Sequence, residues 1–319
     1  MSLMRGFILL FFKAKIKIIF FLWVLFLSQK IWAAACCGGG ASIPSLILGD
    51  DRRQVSTQMS FGQTAVEYVD AQGLWYTSDE STATQTLKMD VAQIISDRWQ
   101  VGVSIPWIQK IKAQEKQSGL GDISFNLGYE YLPDWDYHPW RPKGMGYVQI
   151  LAPFGKSNEE ATDLYKLETR GRGYWQLGMG TVLSKSKGAF DMSFSFEAHY
   201  SLKKQIHLEG QDGTAYPGWG GQVGPSLGFN LKNWRFGAAI SWIQEDPVEI
   251  QDSKGQAYSQ SLFQRYANSS FSLTYMFPES QGEIWSSTLT YADQTLFGDP
   301  YNTSLERVVS ILVQHRWAR

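Results

Sequence analysis

From Gln54 onward the chain alternates apolar and polar side chains in stretches of about ten residues, joined in turn by tight turns and long polar loops. Ile123, Phe125, Leu127, Tyr129 and Tyr131 interleave with Ser124, Asn126, Gly128 and Glu130, so a strand here has one greasy face and one polar face. The same holds where Phe190, Met192, Phe194, Phe196, Ala198, Tyr200 and Leu202 alternate with Asp191, Ser193, Ser195, Glu197, His199 and Ser201. A soluble, exported sandwich alternates as well, so the connections have to decide.

The pattern predicts twelve strands, at 54–70, 85–96, 99–111, 121–132, 145–154, 173–184, 189–202, 220–231, 234–244, 262–277, 283–292 and 304–317. Short turns follow the second, sixth, eighth and tenth strands, and long Gly-, Ser-, Asp- and Gln-rich stretches follow the odd ones; the 133–144 connection alone is long where a short one is expected. An even strand count with short turns at one end and long loops at the other is the pattern of an outer-membrane barrel. The fold expected is therefore all-β, an antiparallel transmembrane β-barrel with short periplasmic turns and long external loops. A bulge is expected in the first strand, because Met59 and Phe61 occupy odd positions whereas Val66 and Tyr68 occupy even ones.

Aromatic spacing tests the same idea. Trp99 and Trp107 share a face of one strand, and Trp234 and Trp242 share a face of another. Eight residues rise roughly 26 Å along a strand, or about 20 Å along the membrane normal at barrel tilt, close to the apolar band of such proteins. Two aromatic girdles are expected, joined by Trp175, Trp285, Tyr291 and Trp317.

Residues 1–35 carry Arg5, Lys13, Lys15, Lys17 and Lys30 and no acidic residue, with a ten-residue apolar core from Ile18 to Leu27. That core is too short to span a bilayer and suits a signal peptide, which places the mature chain outside the cytoplasm. Without it, 24 basic residues face 30 acidic ones, a formal charge of −6. Such a balance argues against nucleic acid as a partner. Residues 36–53 read as a flexible N-terminal segment with Gly38, Gly39 and Gly40, and residues 54–319 as the barrel. Cys36 and Cys37 are the sole cysteines; Cys36 follows an alanine triplet that resembles a lipobox and is the candidate lipidation site, with ordinary signal-peptidase cleavage as the alternative. Outer-membrane lipid and the barrel-assembly machinery are the expected partners, although Ala318 and Arg319 follow the terminal aromatic, Trp317, that such machinery reads.

If the apolar face meets lipid, parity turns Lys88, Asp90, Asn126, Glu130, Asp191, Glu197, His199 and Arg235 inward, together with Gln314 and Arg316. Their mixed signs suit either pairing across a narrow lumen or a wet, selective pore. His138, His199, His207 and His315 lack ligand spacing, so neither metal nor other cofactor is expected. His199 and Ser201 form a His-x-Ser pair that resembles the one in outer-membrane phospholipase A, where it faces lipid. Here parity turns His199 inward, and Leu202, Lys203 and Lys204 do not reproduce that family's Asn-Gly-Arg continuation, so an enzyme is not the expectation.

Gly119-Leu120-Gly121-Asp122, opening the fourth strand, resembles the signature of the outer-membrane barrels of the phenol-degradation meta-pathway transporter type. The preceding Val101, Gly102, Val103, Ser104, Ile105 and Pro106 are similar to that family's Gly-Val-Ser-Leu-Pro strand. The resemblance implies a barrel that passes small hydrophobic or aromatic compounds, with no catalytic residues. By residues alone, Gly119 and Gly121 permit the turn and Asp122 bonds neighbouring amides. The function expected is a passive channel for small molecules in the outer membrane; the alternatives are a closed structural or surface-interaction barrel and a phospholipase-like hydrolase.

Overall fold

The computed structural model describes residues 45–134, 138–208, 211–252 and 257–318; residues 1–35, read above as a signal peptide, and Cys36 lie outside them. Twelve long strands form one antiparallel wall: β1 (Asp51–Val69), β2 (Ala83–Ile94), β3 (Trp99–Lys112), β4 (Ile123–Leu132), β5 (Lys143–Ala152), β6 (Gln176–Lys187), β7 (Phe190–Ser201), β8 (Gly218–Leu231), β9 (Trp234–Glu245), β10 (Gln264–Met276), β11 (Glu283–Asp293) and β12 (Thr303–Ala318). Each pairs with its sequence neighbours, and β1 also pairs with β12, from Asp51 opposite Ala318 to Val69 opposite Thr303. The barrel is therefore closed, as the alternation predicts, and its backbone groups are satisfied between strands without a free edge. The bulge expected in β1 lies between Thr64 and Val66, in the pairing with β12.

Side chains sort as in a membrane protein. Leu87, Met89 and Val91, Phe194 and Phe196, and Val309, Ile311 and Val313 are exposed on the outside, and their polar neighbours in sequence point into the barrel. Trp99, Trp107, Trp234 and Trp242 all face outward. Trp99 packs on Tyr129 and Trp234 on Tyr275, each at 4.7 Å between ring centroids, toward the short-turn end. At the same level His315 stacks on Trp285, at 4.0 Å, and meets the tilted ring of Trp317 at 3.9 Å. Toward the long-loop end Tyr200 meets Trp219 at 5.1 Å. Two girdles thus bound an apolar belt, the surface of a β-barrel seated in an outer membrane.

The long loops carry more structure than their composition announces. Glu115–Leu120 prolongs the β3–β4 hairpin, and Trp75–Tyr76 folds back on β1. The two stretches read as plain loops at 203–219 and 245–261 form a separate four-stranded sheet from Lys204–Leu208, Gln211–Tyr216, Glu249–Asp252 and Ala257–Gln260. Tyr174, Ile206, Ala215 and Ile250 make a small apolar core beneath that sheet.

The belt gives a direct stability test. Phe125 pairs with Val103, midway between Trp99 and Trp107, and faces lipid. Phe125→Arg is expected to cost about 2–4 kcal/mol, whereas Leu120→Arg, level with Trp107, is expected to cost about 0–1 kcal/mol. Urea unfolding from lipid vesicles, followed by tryptophan fluorescence, measures both.

Candidate functional site

Two segments enter the barrel, one from each end, and the space between them is the site. At the short-turn end, the last part of the stretch expected to be a flexible tether packs against the inner wall: Ser45, Leu46, Ile47 and Leu48 are all buried. Leu46 and Leu48 meet Met145, Tyr147 and Val182, an apolar cluster inside the lumen. Ile47 is held by backbone mimicry, its N–H donating to Gln100 Oε1 at 2.6 Å while Gln100 Nε2 donates to the Ile47 carbonyl at 3.1 Å. Gly102 lets this segment approach, because a Cβ there would overlap the Ser45 carbonyl oxygen. Lys143 Nζ donates to the Gly49 carbonyl at 3.3 Å and pairs with Glu130 at 3.3 Å, and Arg316 holds Asp51 at 3.1 Å.

At the long-loop end, residues 153–175 form an inward-folded lobe. Asp122 Oδ1 accepts the Gly155 N–H at 2.8 Å, and Asp122 Oδ2 accepts the N–H of Arg172 at 2.7 Å and of Gly173 at 3.1 Å. The amides that Asp122 bonds are thus remote ones, on a loop that follows β5, rather than the neighbouring amides expected for a turn aspartate. Arg172 extends its guanidinium to the Glu245 carboxylate and to His199 Nε2, the latter at 3.0 Å. His199 Nε2 also lies 3.1 Å from Glu245, and its Nδ1 lies 3.3 Å from Glu197. Tyr147 Oη and Gln222 Nε2 donate to Glu197 Oε2 at 3.2 and 3.1 Å.

Between plug and lobe lies a chamber of about 400 Å³ whose lining includes Lys88, Gln149, Arg172, Glu197, His199 and Glu245. Pro106, Leu151, Ile243 and Tyr266 give it an apolar side. Among the residues picked by parity, Lys88, Glu197 and His199 meet here, and Asp90 is 3.3 Å from Lys88. The others are buried in the barrel but apart from the chamber. Asp191 takes a two-pronged bond from Arg235 at 2.9 and 2.6 Å toward the short-turn end. Glu130 lies below the plug, in a vestibule of about 230 Å³. Asn126 is buried with neither amide atom bonded to protein. Arg172 escaped the strand pattern because it belongs to a loop, and Glu245 lies one residue past the strand end predicted for β9. Its odd number, shared with Arg235, was the available signal.

The lobe is ordered from within. Asp163 accepts the N–H groups of Leu167 at 2.6 Å and Glu168 at 3.2 Å, and Glu168 pairs with Lys156. Glu160 accepts the Ser157 N–H at 3.2 Å and the Lys204 ammonium at 2.7 Å. Burial pushes the Glu160 carboxyl upward, but those two partners outweigh it and hold the group below its ordinary range. A carboxylate depressed in the folded state stabilises it fully above the unfolded value of about 4.3 and loses that stabilisation as pH falls through the folded value. The protection factors of the 157–160 amides, which remove the intrinsic pH dependence of exchange, should therefore fall only below about pH 4, and Glu160→Gln should show low protection at neutral pH with little further change on acidification.

No protein-family model and no curated protein matches this sequence. Among solved structures, an outer membrane channel from Pseudomonas putida F1 is similar over 87% of this chain and 98% of its own, with a TM-score of 0.61 at 12% identity. Looser likenesses include the transport unit of the autotransporter AIDA-I from Escherichia coli (TM-score 0.45, 8% identity, 87% of this chain and 94% of that one). A mutant of the TodX monoaromatic hydrocarbon channel is similar at TM-score 0.42 and 10% identity, over 87% of this chain and 93% of its own. The first of these supports what the closed wall and the two girdles show independently, an outer-membrane β-barrel of twelve strands.

Proposed function

We propose that this protein is a passive outer-membrane channel for small molecules, of the kind suggested by its resemblance to the phenol-degradation transporter type. The observation that carries the reading is the chamber: a cavity of about 400 Å³ inside a closed barrel, lined mainly by wall strands, with Gly171 and Arg172 of the lobe on its long-loop side. Its size suits the reading, since a cavity of about 150 Å³ accepts benzene and small-molecule sites run from about 300 Å³ upward. Its chemistry narrows the permeant. Pro106, Leu151, Ile243 and Tyr266 offer a face for an aromatic ring, while Gln149 and the amides of Gln176 and Gln222, which also bond Ser201 and Glu197, make the rest of the lining polar. A ring bearing a hydroxyl meets both sides, whereas a bare hydrocarbon meets the apolar side alone. The similar channel from Pseudomonas putida F1 agrees with transport as the role, and the aromatic preference rests on the Gly119 to Asp122 motif and this lining.

A hydrolase reading gains no support from the geometry. His199 and Ser201 are both buried inside the barrel, away from lipid, and Ser201 Oγ accepts a bond from Gln176 at 2.7 Å. The surface-interaction reading has one observation in its favour, the four-stranded sheet projecting from the long loops.

Single-channel recording in planar bilayers separates channel from closed barrel. The intact protein should give small, steady conductance steps, and Gln100→Ala, which removes both bonds to Ile47, should raise them several-fold by loosening the plug. Glu197→Ala should shift ion selectivity without changing insertion. Folded, inserted protein that conducts in neither form would overturn the channel and move the function to the external sheet.

A further inference from the structure

We propose that the 155–173 lobe is a gate latched by the Asp122 carboxylate, and that Arg172, which the latch positions, sets the charge selectivity of the chamber. The selectivity half rests on the channel reading above; the latch half does not.

One carboxylate holds both ends of the lobe. Asp122 takes the Gly155 N–H on one oxygen and the Arg172 and Gly173 N–H groups on the other. These are charge-assisted bonds to backbone, which fix position more tightly than contacts between flexible side chains. The socket is built of glycine. A Cβ on Gly171 would overlap the Asp122 carboxylate, one on Gly155 would lie 2.9 Å from Asp122 Oδ1, and one on Gly121 would lie 2.7 Å from the Arg170 carbonyl oxygen. The Gly-Leu-Gly-Asp stretch therefore reads as a receptor for the 170–173 backbone.

The lobe sits where the wall gives it room. β4 and β5 pair only as far as Ile123 opposite Ala152, and Glu115–Leu120 continues upward paired with β3 alone. Its own packing keeps it a unit: Leu167 and Ser157 are fully buried, and Asp163 and Glu168 tie its far side together. Such a piece moves by release at its ends rather than by unravelling. On the outer side Lys204 bridges it to the β7–β8 connection, through Glu160 at 2.7 Å and the Gly173 carbonyl at 3.0 Å, and Tyr174 packs with Ile206 and Ala215 of that connection.

Arg172 joins latch to lumen. Its N–H is bound by Asp122, and its guanidinium reaches Glu245 on β9 and His199 on β7. With Arg172 in place the chamber lining carries Lys88 and Arg172 against Asp122, Glu197 and Glu245. Withdraw it and Lys88 alone faces those three carboxylates, a field that favours cations.

Trypsin treatment of the refolded protein tests the latch directly, because Lys156, Lys166, Arg170 and Arg172 all lie in the lobe. Asp122→Ala should be cut there faster than the parent by about tenfold or more, and Asp122→Asn, which preserves shape, by an intermediate factor. Heat-modifiable gel mobility confirms that the barrel itself is folded, and Asp122→Asn serves if the alanine variant fails that check. Equal cleavage of variant and parent would overturn the latch. Reversal potential in a salt gradient tests the selectivity: Arg172→Gln, which leaves all three carboxylates in place, should move toward cation preference without faster cleavage. An unchanged reversal potential in a conducting Arg172→Gln variant would overturn the role of Arg172. Absence of conductance in every variant would sink the channel reading, with the cleavage result still deciding the latch.

Discussion

The pairing of β1 with β12 is the contact on which everything else depends. In hydrocarbon an unbonded backbone N–H or C=O costs several kcal/mol, so a sheet can cross a membrane only if its first and last strands meet. Closure then dictates the rest of the sequence. With the outer face given to lipid, half of each strand has to be apolar and outward, and the polar half is confined to a space too narrow for free charges to be well hydrated. The ion pairs inside follow from that confinement. Arg235 and Asp191 are both buried and joined by two parallel bonds, with Asn230 Nδ2 donating a further bond at 2.8 Å to the same carboxylate. Removing one member of such a pair would strand the other, at a cost of about 3–5 kcal/mol.

Closure also explains why the wall was legible in the sequence and the contents of the lumen were not. A strand that faces lipid on one side and a polar lumen on the other has to alternate, so the positions of Phe125, Leu127 and Glu130 declare both the strand and its orientation. The bulge at Thr64 to Val66 was visible for the same reason, as a slip in parity. Segments that fold back into the barrel obey no such rule. Ser45 to Leu48 holds a short apolar run that reads as part of a flexible tether, and its apolar side chains are buried because Met145, Tyr147 and Val182 offer an apolar surface at one level of the lumen. Those three stood in the sequence as inward residues of the wrong polarity. A local failure of the alternation was the sign that something packs there.

The Gly119 to Asp122 motif shows a different limit. Its glycines and its acid were evident, and local chemistry suggested a turn closed on itself. The partners of Asp122 are instead the amides of Gly155, Arg172 and Gly173, brought to it because β5 ends at Ala152 and returns the chain over the top of β4. No reading confined to a few neighbouring residues reaches a bond that spans such a separation. The small residues at 155, 171 and 173 were the counterpart of the motif, separated from it by two whole strands.

The polarity of the chamber bears on the gate proposed for the 155–173 lobe. A lumen lined only by paired charges is a good seal, because each carboxylate has its cation and water gains little by entering. A lumen lined only by apolar groups would collapse or fill with lipid-like molecules that do not leave. Here the two are set side by side, with Leu151 and Ile243 on one part of the lining and the Arg172, Glu245 and His199 cluster on another. On the channel reading proposed above, the ionic cluster closes the path and the apolar face offers a brief resting place. Passage would then require the cluster to part, and of Arg172, Glu245 and His199 only Arg172 is carried on a segment outside the wall.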